Sequence, residues 1–273
     1  MTRLIVFANR KGGCGKTTTA VNSAHALAEQ GKKILLIDVD PQAHASLSNG
    51  LSPEERLPGI CDLLYGSGEL DTAIHDTRIE NLKIIPSSRE LTRFEIDFSH
   101  REGSETILAE RIQNIDGFDY LIFDPPPTIG LLTVSCLVAA KEIYIPMPMN
   151  FLSMEGLAEM VRLIYTVNAT WNPDLRLYGI IPTFFNSQTR ITREIYHQIE
   201  KNFGKDKIMQ EIRMNVTLAE APGHGKTVLE YAPKSHGAED YLTLAKQIES
   251  AGGSGSSSST SATTSSSSKG ELI

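Results

Sequence analysis

Cysteine is scarce in this chain: Cys14, Cys61 and Cys136 are the only three among 273 residues, and none stands in a C-x-x-C pair. That excludes a disulfide framework and a paired-cysteine zinc or iron–sulfur centre, and it points to reduced thiols in a cytosolic protein. Long hydrophobic runs are missing as well. The first, Leu4–Ala8, spans five residues, whereas a membrane helix needs about 20. The N-terminus carries no signal-peptide core. Positive charge is in deficit: 26 Lys and Arg against 33 Asp and Glu leave a net charge of −7. The surface as a whole therefore does not attract polyanions, and any contact with DNA has to come from a local basic patch. The remaining composition, 40% hydrophobic and 22% charged, suits one large α/β domain or two small ones.

Directly behind Leu4–Ala8 stands Lys11-Gly12-Gly13-Cys14-Gly15-Lys16-Thr17-Thr18. With its first glycine relaxed to Lys11, this stretch fits the phosphate-binding pattern G-x-x-x-x-G-K-[ST]. The context agrees, because a β-branched strand leads in and a helix-period segment, Thr18–Glu29, leads out. Successive backbone N–H groups in such a loop form a concave anion site, reinforced by the helix N-terminus. Gly12, Gly13 and Gly15 let the backbone approach phosphate oxygens without Cβ clashes. Lys16 would reach the β- and γ-phosphates of a nucleotide, and the Thr17 hydroxyl would hold Mg²⁺. Cys14 and Thr18 complete the cradle, Cys14 as a small filler.

Apolar β-rich runs alternate with helical patterns along the rest of the chain. Strands are expected at Leu4–Ala8, Lys33–Asp38, Leu82–Pro86, Tyr120–Asp124, Glu142–Pro146, Leu177–Pro182 and Lys207–Ile212. Helices are expected at Thr17–Glu29, Ser104–Asn114, Leu131–Ala139, Met154–Asn168, Thr192–Asn202 and Ala238–Glu249. Near-continuous apolar strands separated by helices predict an α/β fold: a single doubly wound, mostly parallel sheet flanked by helices, of the P-loop NTPase type. It should occupy residues 1–250. Residues 251–273, almost all Ser, Gly, Thr and Ala up to Ser268, read as a disordered tail or linker.

In such sheets ligands bind at the carboxyl ends of the strands, and the acidic motifs fall there. Asp124 closes the run Tyr120–Phe123, as a magnesium-holding carboxylate should, and Pro125-Pro126-Pro127 stiffens the segment behind it. Asp38 and Asp40 flank Val39 at another strand end, and period-2 geometry turns both toward the phosphate edge.

These residues resemble the ParA/MinD family of ATPases with a deviant Walker A loop, whose mark is a lysine at the position of Lys11. The resemblance continues through Asp38-Val39-Asp40-Pro41-Gln42, similar to D-x-D-P-Q, and through Asp124-Pro125-Pro126-Pro127, similar to D-x-P-P. It reaches Asn215–Lys226, which looks like the N-V-x-L-x-E-A-P-x-x-G-K of the ParA/Soj branch. It implies ATP and Mg²⁺ as ligands, Asp40 orienting the attacking water, Asp38 near the magnesium shell, and Asn186 offering its amide to the adenine edge. It implies that Lys11 reaches across an ATP-dependent homodimer to the partner's phosphates, as an arginine finger does.

The same resemblance implies a cytoplasmic, nucleoid-associated protein. It would bind duplex DNA without sequence preference and position a DNA or protein cargo through a ParB-like or cargo-specific adaptor. Two arginines that often carry DNA binding in the Soj branch fall here on Gln188 and Thr217, so Arg190, Arg193, Arg213 and Lys226 are the candidate substitutes. The last helix lacks a basic amphipathic membrane tail, so no membrane partner is expected. A metabolic P-loop enzyme, like dethiobiotin synthetase or a cobyrinate amidase, is the alternative, as is a MinD-like positioning ATPase that does not use DNA. Gln42 and the Asn215–Pro222 motif favour the partition branch.

Overall fold

The computed structural model describes residues 2–253. Seven strands form one sheet: β1 (Arg3–Phe7), β2 (Ile34–Asp38), β3 (His75–Asp76), β4 (Leu82–Ile85), β5 (Tyr120–Asp124), β6 (Glu142–Pro148) and β7 (Arg176–Thr183). Their order is β3-β4-β2-β5-β1-β6-β7, parallel throughout except for the short edge strand β3. The helices are α1 (Lys16–Glu29), α2 (His44–Ser48), α3 (Ile60–Tyr65), α4 (Leu70–Ala73), α5 (Leu91–Phe98), α6 (Ile107–Ile112), α7 (Leu131–Ala139), α8 (Phe151–Thr170), α9 (Arg190–Phe203), α10 (Thr217–Glu220), α11 (Val228–Tyr231) and α12 (His236–Gly253).

Strand parity decides where each side chain goes. Ile5, Phe7, Ile34, Leu36, Tyr120 and Ile122 enter one apolar layer, with Ala20, Ala24 and Leu27 of α1 and Tyr241, Leu244 and Ile248 of α12. Val6, Leu35, Ile37, Leu121 and Phe123 enter the other, against α3, α5, α7 and α8. Both faces are therefore covered, which is why these strands read as unbroken apolar runs rather than alternating ones. Counting two on from Leu36 and Ile122 places Asp38 and Asp124 on the α1 side of the sheet.

The expected strand at Lys207–Ile212 does not form. Residues Lys205–Lys207 make a 3₁₀ turn after Gly204, and the following segment meets β7 and the residues just after it only in isolated bridges, Ile180–Ile208 and Phe185–Arg213. The reason lies in its N–H groups. Met209 and Ile212 donate to the Ile180 and Pro182 carbonyls, so this segment advances three residues where β7 advances two and no continuous ladder grows, while Gln210 and Arg213 donate to Gln247 and Asp240 of α12. The helix expected over Ser104–Asn114 is shorter, a 3₁₀ turn at Ser104–Thr106 leading into α6. Helix α12 runs on to Gly253, and the Ser-rich stretch beyond it lies outside the described residues.

At the amino ends of the strands, Arg3 of β1 ties three elements together. Its Nε and Nη2 donate to both oxygens of Glu142 on β6 at 2.7 and 2.5 Å, and its Nη1 donates to the Ile248 carbonyl of α12 at 2.5 Å. The two side chains are only 16% and 7% exposed. Removing one partner of a buried pair strands the other charge, at about 3 kcal/mol or more. Glu142→Ala should therefore lower the unfolding free energy by that order in urea titration, and Arg3→Met with Glu142→Met should recover most of the loss.

Candidate functional site

The loop after β1 is fastened on several sides. The Asn9 amide donates to the Pro146 carbonyl of β6 at 2.8 Å, and its oxygen accepts the Lys11 N–H at 3.1 Å. The Thr183 hydroxyl of β7 donates to the Cys14 carbonyl at 2.9 Å. Thr19 Oγ donates to the Gly15 carbonyl at 2.6 Å and lies 3.2 Å from the Tyr241 hydroxyl of α12. Gly13 and Gly15 take φ values of +68° and +88°, which a side chain would make costly, and a Cβ on Gly13 would meet nothing. The result is an open backbone concavity at the start of α1. Lys16 is buried at its floor, 3.5 Å from the Lys11 carbonyl. Cys14 is fully buried, and burial raises its thiol pKa, so it serves as packing.

Two carboxylates stand beside this loop. Asp38 and Asp124 are direct partners in the β2–β5 register, and both are fully buried. Asp38 is engaged: Oδ2 accepts the N–H and hydroxyl of Ser46 at 2.8 and 2.7 Å, and Oδ1 accepts the Asp40 N–H at 3.2 Å. Asp124 is not engaged, since neither of its oxygens completes a hydrogen bond of ordinary geometry. Burial pushes both carboxyls above the usual carboxylate range. The Asp38 charge adds to the shift at Asp124, where the Thr17 hydroxyl and the Lys16 ammonium pull the other way. Two unpaired, buried carboxylate oxygens next to a threonine hydroxyl fit a divalent cation. Among the described residues no three metal-type side chains cluster. A hard cation held by Thr17 and Asp124 would therefore take its other ligands from phosphate and water, as magnesium does.

Asp40 lies beyond the strand and is buried in a tight turn. Its Oδ1 accepts the Gln42 N–H at 2.9 Å and its carbonyl accepts the Ala43 N–H at 2.8 Å, and α2 begins at His44. The Lys11 ammonium reaches Asn150 Oδ1, at 3.5 Å, at the start of α8. There Phe151 and Leu152 are 77% and 65% exposed, beside Arg10, Glu155 and Glu159. Asn186 is exposed after β7, with its side-chain oxygen accepting the Gln188 N–H at 3.0 Å.

The four candidate cations are not equivalent. Arg213 is held by Asp240, through paired contacts of 2.5 to 3.0 Å, and by Glu239 at 2.8 Å. Arg190 pairs with Glu194 on the exposed face of α9. Arg193 and Lys226 are exposed and have no side-chain partner among the described residues. One feature escaped the sequence: a largely apolar cavity of about 440 Å³ beside Gly15 and Thr18, walled by Phe184, Met214, Val216 and Leu218. In the sequence Asn215–Leu218 belongs to a longer motif and nothing in its local pattern marks a cavity.

The chain matches the family described as AAA domain over residues 2–177. It is 35% identical to the sporulation initiation inhibitor protein Soj of Bacillus subtilis, over 92% of this chain and 100% of that protein. It is 35% identical to the chromosome-partitioning ATPase Soj of Thermus thermophilus, over 90% and 95%. A solved structure described as cobyrinic acid a,c-diamide synthase from Mycobacterium smegmatis, with bound ADP and magnesium, superposes with a TM-score of 0.81 at 30% identity, covering 93% and 97%.

The unpaired Asp124 carboxylate should cost the protein stability in the absence of a cation. In calorimetry without divalent ions, Asp124→Asn should raise the melting temperature, by ~2–4 °C per kcal/mol regained. In the same variant, Mg²⁺ should no longer strengthen ADP binding. An unchanged or lowered melting temperature would mean that the carboxylate is satisfied in the protein alone.

Proposed function

The chain belongs to the ParA/MinD family of deviant Walker A ATPases, and on that premise we propose that it is a partition or positioning switch that hydrolyses ATP as a sandwich dimer. It is an ATPase using ATP and Mg²⁺. In this reading the N–H groups from Gly12 to Thr18 and the Lys16 ammonium bind the phosphates. Thr17 and Asp124 would hold the magnesium, which would supply positive charge against the phosphates. Asp38 braces the turn that carries Asp40, and Asp40 orients the attacking water. The apolar cavity beside Gly15 takes the adenine base, with Asn186 at its edge.

The observation that carries the dimer is Lys11. Its ammonium lies outside its own cradle, at a surface where Phe151 and Leu152 are exposed side by side. Such a patch next to a loop lysine suits a second copy that completes each site. The ATP-bound dimer would then bind nucleoid DNA without sequence preference, through Arg193 and Lys226. Arg190 would join by exchanging Glu194 for phosphate, while Arg213 would have to leave Asp240 and Glu239 first. An adaptor bound to the cargo would trigger hydrolysis and release.

A second reading, an ATP-dependent amide synthase, is favoured by the description of the Mycobacterium structure. A glutamine-dependent amidation needs a reactive thiol or another nucleophile to release ammonia. All three cysteines here are buried with raised pKa values, which supports the switch instead.

For a lysine acting in trans, ATP turnover per monomer should climb with protein concentration through the dimerisation range and collapse in Lys11→Ala. Turnover independent of concentration would overturn the dimer. The hydrolysis-arrested Asp40→Ala protein with ATP should retard random duplex DNA at low salt, and Arg193→Ala with Lys226→Ala should weaken this equally on unrelated sequences. No retardation of random duplex would overturn the nucleoid reading.

A further inference from the structure

Outside the phosphate site, one exposed side chain makes an unusual set of bonds. Arg78, in the loop between β3 and β4, donates Nη1 to the Asn49 carbonyl at 2.8 Å, just past α2. Its Nη2 donates to the Gly225 carbonyl, and its Nε and Nη2 grip the Glu230 carboxylate at 2.5 and 2.8 Å. Glu230 in turn accepts the Thr227 N–H at 3.0 Å, and the Thr227 hydroxyl meets His25 Nδ1 of α1 at 2.6 Å. The two backbone turns that Arg78 joins are in direct contact. A Cβ on Gly225 would lie 3.2 Å from Gly50 Cα, and one on Gly50 would collide with the guanidinium at 2.1 Å. Both glycines have left-handed φ values, +82° at Gly50 and +62° at Gly225.

What lies on each side gives this joint its meaning. On one side, α2 carries Ser46, whose N–H and hydroxyl hold Asp38 next to Asp124. On the other, the segment ending at Gly225 carries Leu218 and Ala219, which wall the apolar cavity. We propose that Arg78 is a positioning residue that couples occupancy of this cavity by the base to the position of α2, and through Ser46 to the Asp38–Asp124 pair. A planar guanidinium can serve two carbonyls and a carboxylate at once, which a lysine ammonium at the end of a flexible stem cannot reproduce in the same geometry. Movement of the cavity wall is thereby transmitted to the switch turn, while phosphate contacts alone leave the wall unaddressed.

This inference rests on the cavity being the base pocket, and the experiment separates the two ideas. Amide hydrogen exchange is compared with Mg-ADP and with Mg-pyrophosphate, which both fill the phosphate cradle but differ in the base. In the wild-type protein ADP should protect residues 215–219 more than pyrophosphate does. It should also slow exchange at residues 45–49 by a further factor of about 5 or more, the usual lower range of site-to-site coupling. In Arg78→Lys the extra protection should persist at 215–219 and vanish at 45–49. If the lysine variant does not unfold cooperatively, Arg78→Met replaces it with the same expectation. An ADP-specific effect at 45–49 that survives in the variant, or is absent from the wild type, overturns the coupling. Equal protection of 215–219 by both ligands overturns the base pocket, and the coupling with it.

Discussion

The register between β2 and β5 is the constraint on which the site depends. Pairing Asp38 with Asp124 sets two carboxylates side by side on adjacent parallel strands, on the face that α1 covers. A slip of one residue would turn the slipped strand's apolar set to the wrong layers, so the packing of Leu36, Ile37, Ile122 and Phe123 fixes the carboxylates as firmly as it fixes the core. Burial of two like charges is unfavourable, and the structure treats them differently. Ser46 and the Asp40 amide satisfy Asp38, whereas neither oxygen of Asp124 has a hydrogen-bond partner of that kind.

That asymmetry explains the division of labour around the loop. The satisfied acid orders protein, namely the turn through Asp40 and the start of α2. The unsatisfied acid faces Thr17 and Lys16, where in the proposed ATPase the phosphate charge would enter and leave. Both acids sit where the strands end rather than on flexible loops, so the binding geometry is set by the sheet, and the parts that move are left to the short elements around it.

Much of this was legible in the sequence. The strands β1, β2 and β5 are apolar runs closed by a Gly-rich loop or by aspartate, and that grammar sufficed to place Lys16, Thr17, Asp38 and Asp124 along one edge. Residues 44–98 were harder. Their helices α2 to α5 are short, and only tertiary packing makes them helical. The Lys207–Ile212 segment has strand composition, but its donors Met209 and Ile212 fall out of step with the Ile180 and Pro182 carbonyls, and an acceptor on α12, far along the chain, takes the Gln210 N–H. The neutralisation of Arg213 by Asp240 and Glu239 was hidden for the same reason. A cavity built from residues 15, 184 and 214–218 belongs to no local pattern at all.

The bonds from Arg3 to Ile248 and from Thr19 to Tyr241 join the first strand and the first helix to the last helix of the domain. Synthesis proceeds from the amino end, so nearly the whole domain must leave the ribosome before either bond can close. Contacts between residues so far apart along a chain carry a loop-closure cost that has to be met before they form. A nascent or truncated chain that contains the entire phosphate-binding motif still lacks the helix that fastens it. A complete phosphate-binding motif is in this way not yet a complete phosphate-binding site, because the hydroxyl that meets Thr19 arrives 222 residues further along the chain.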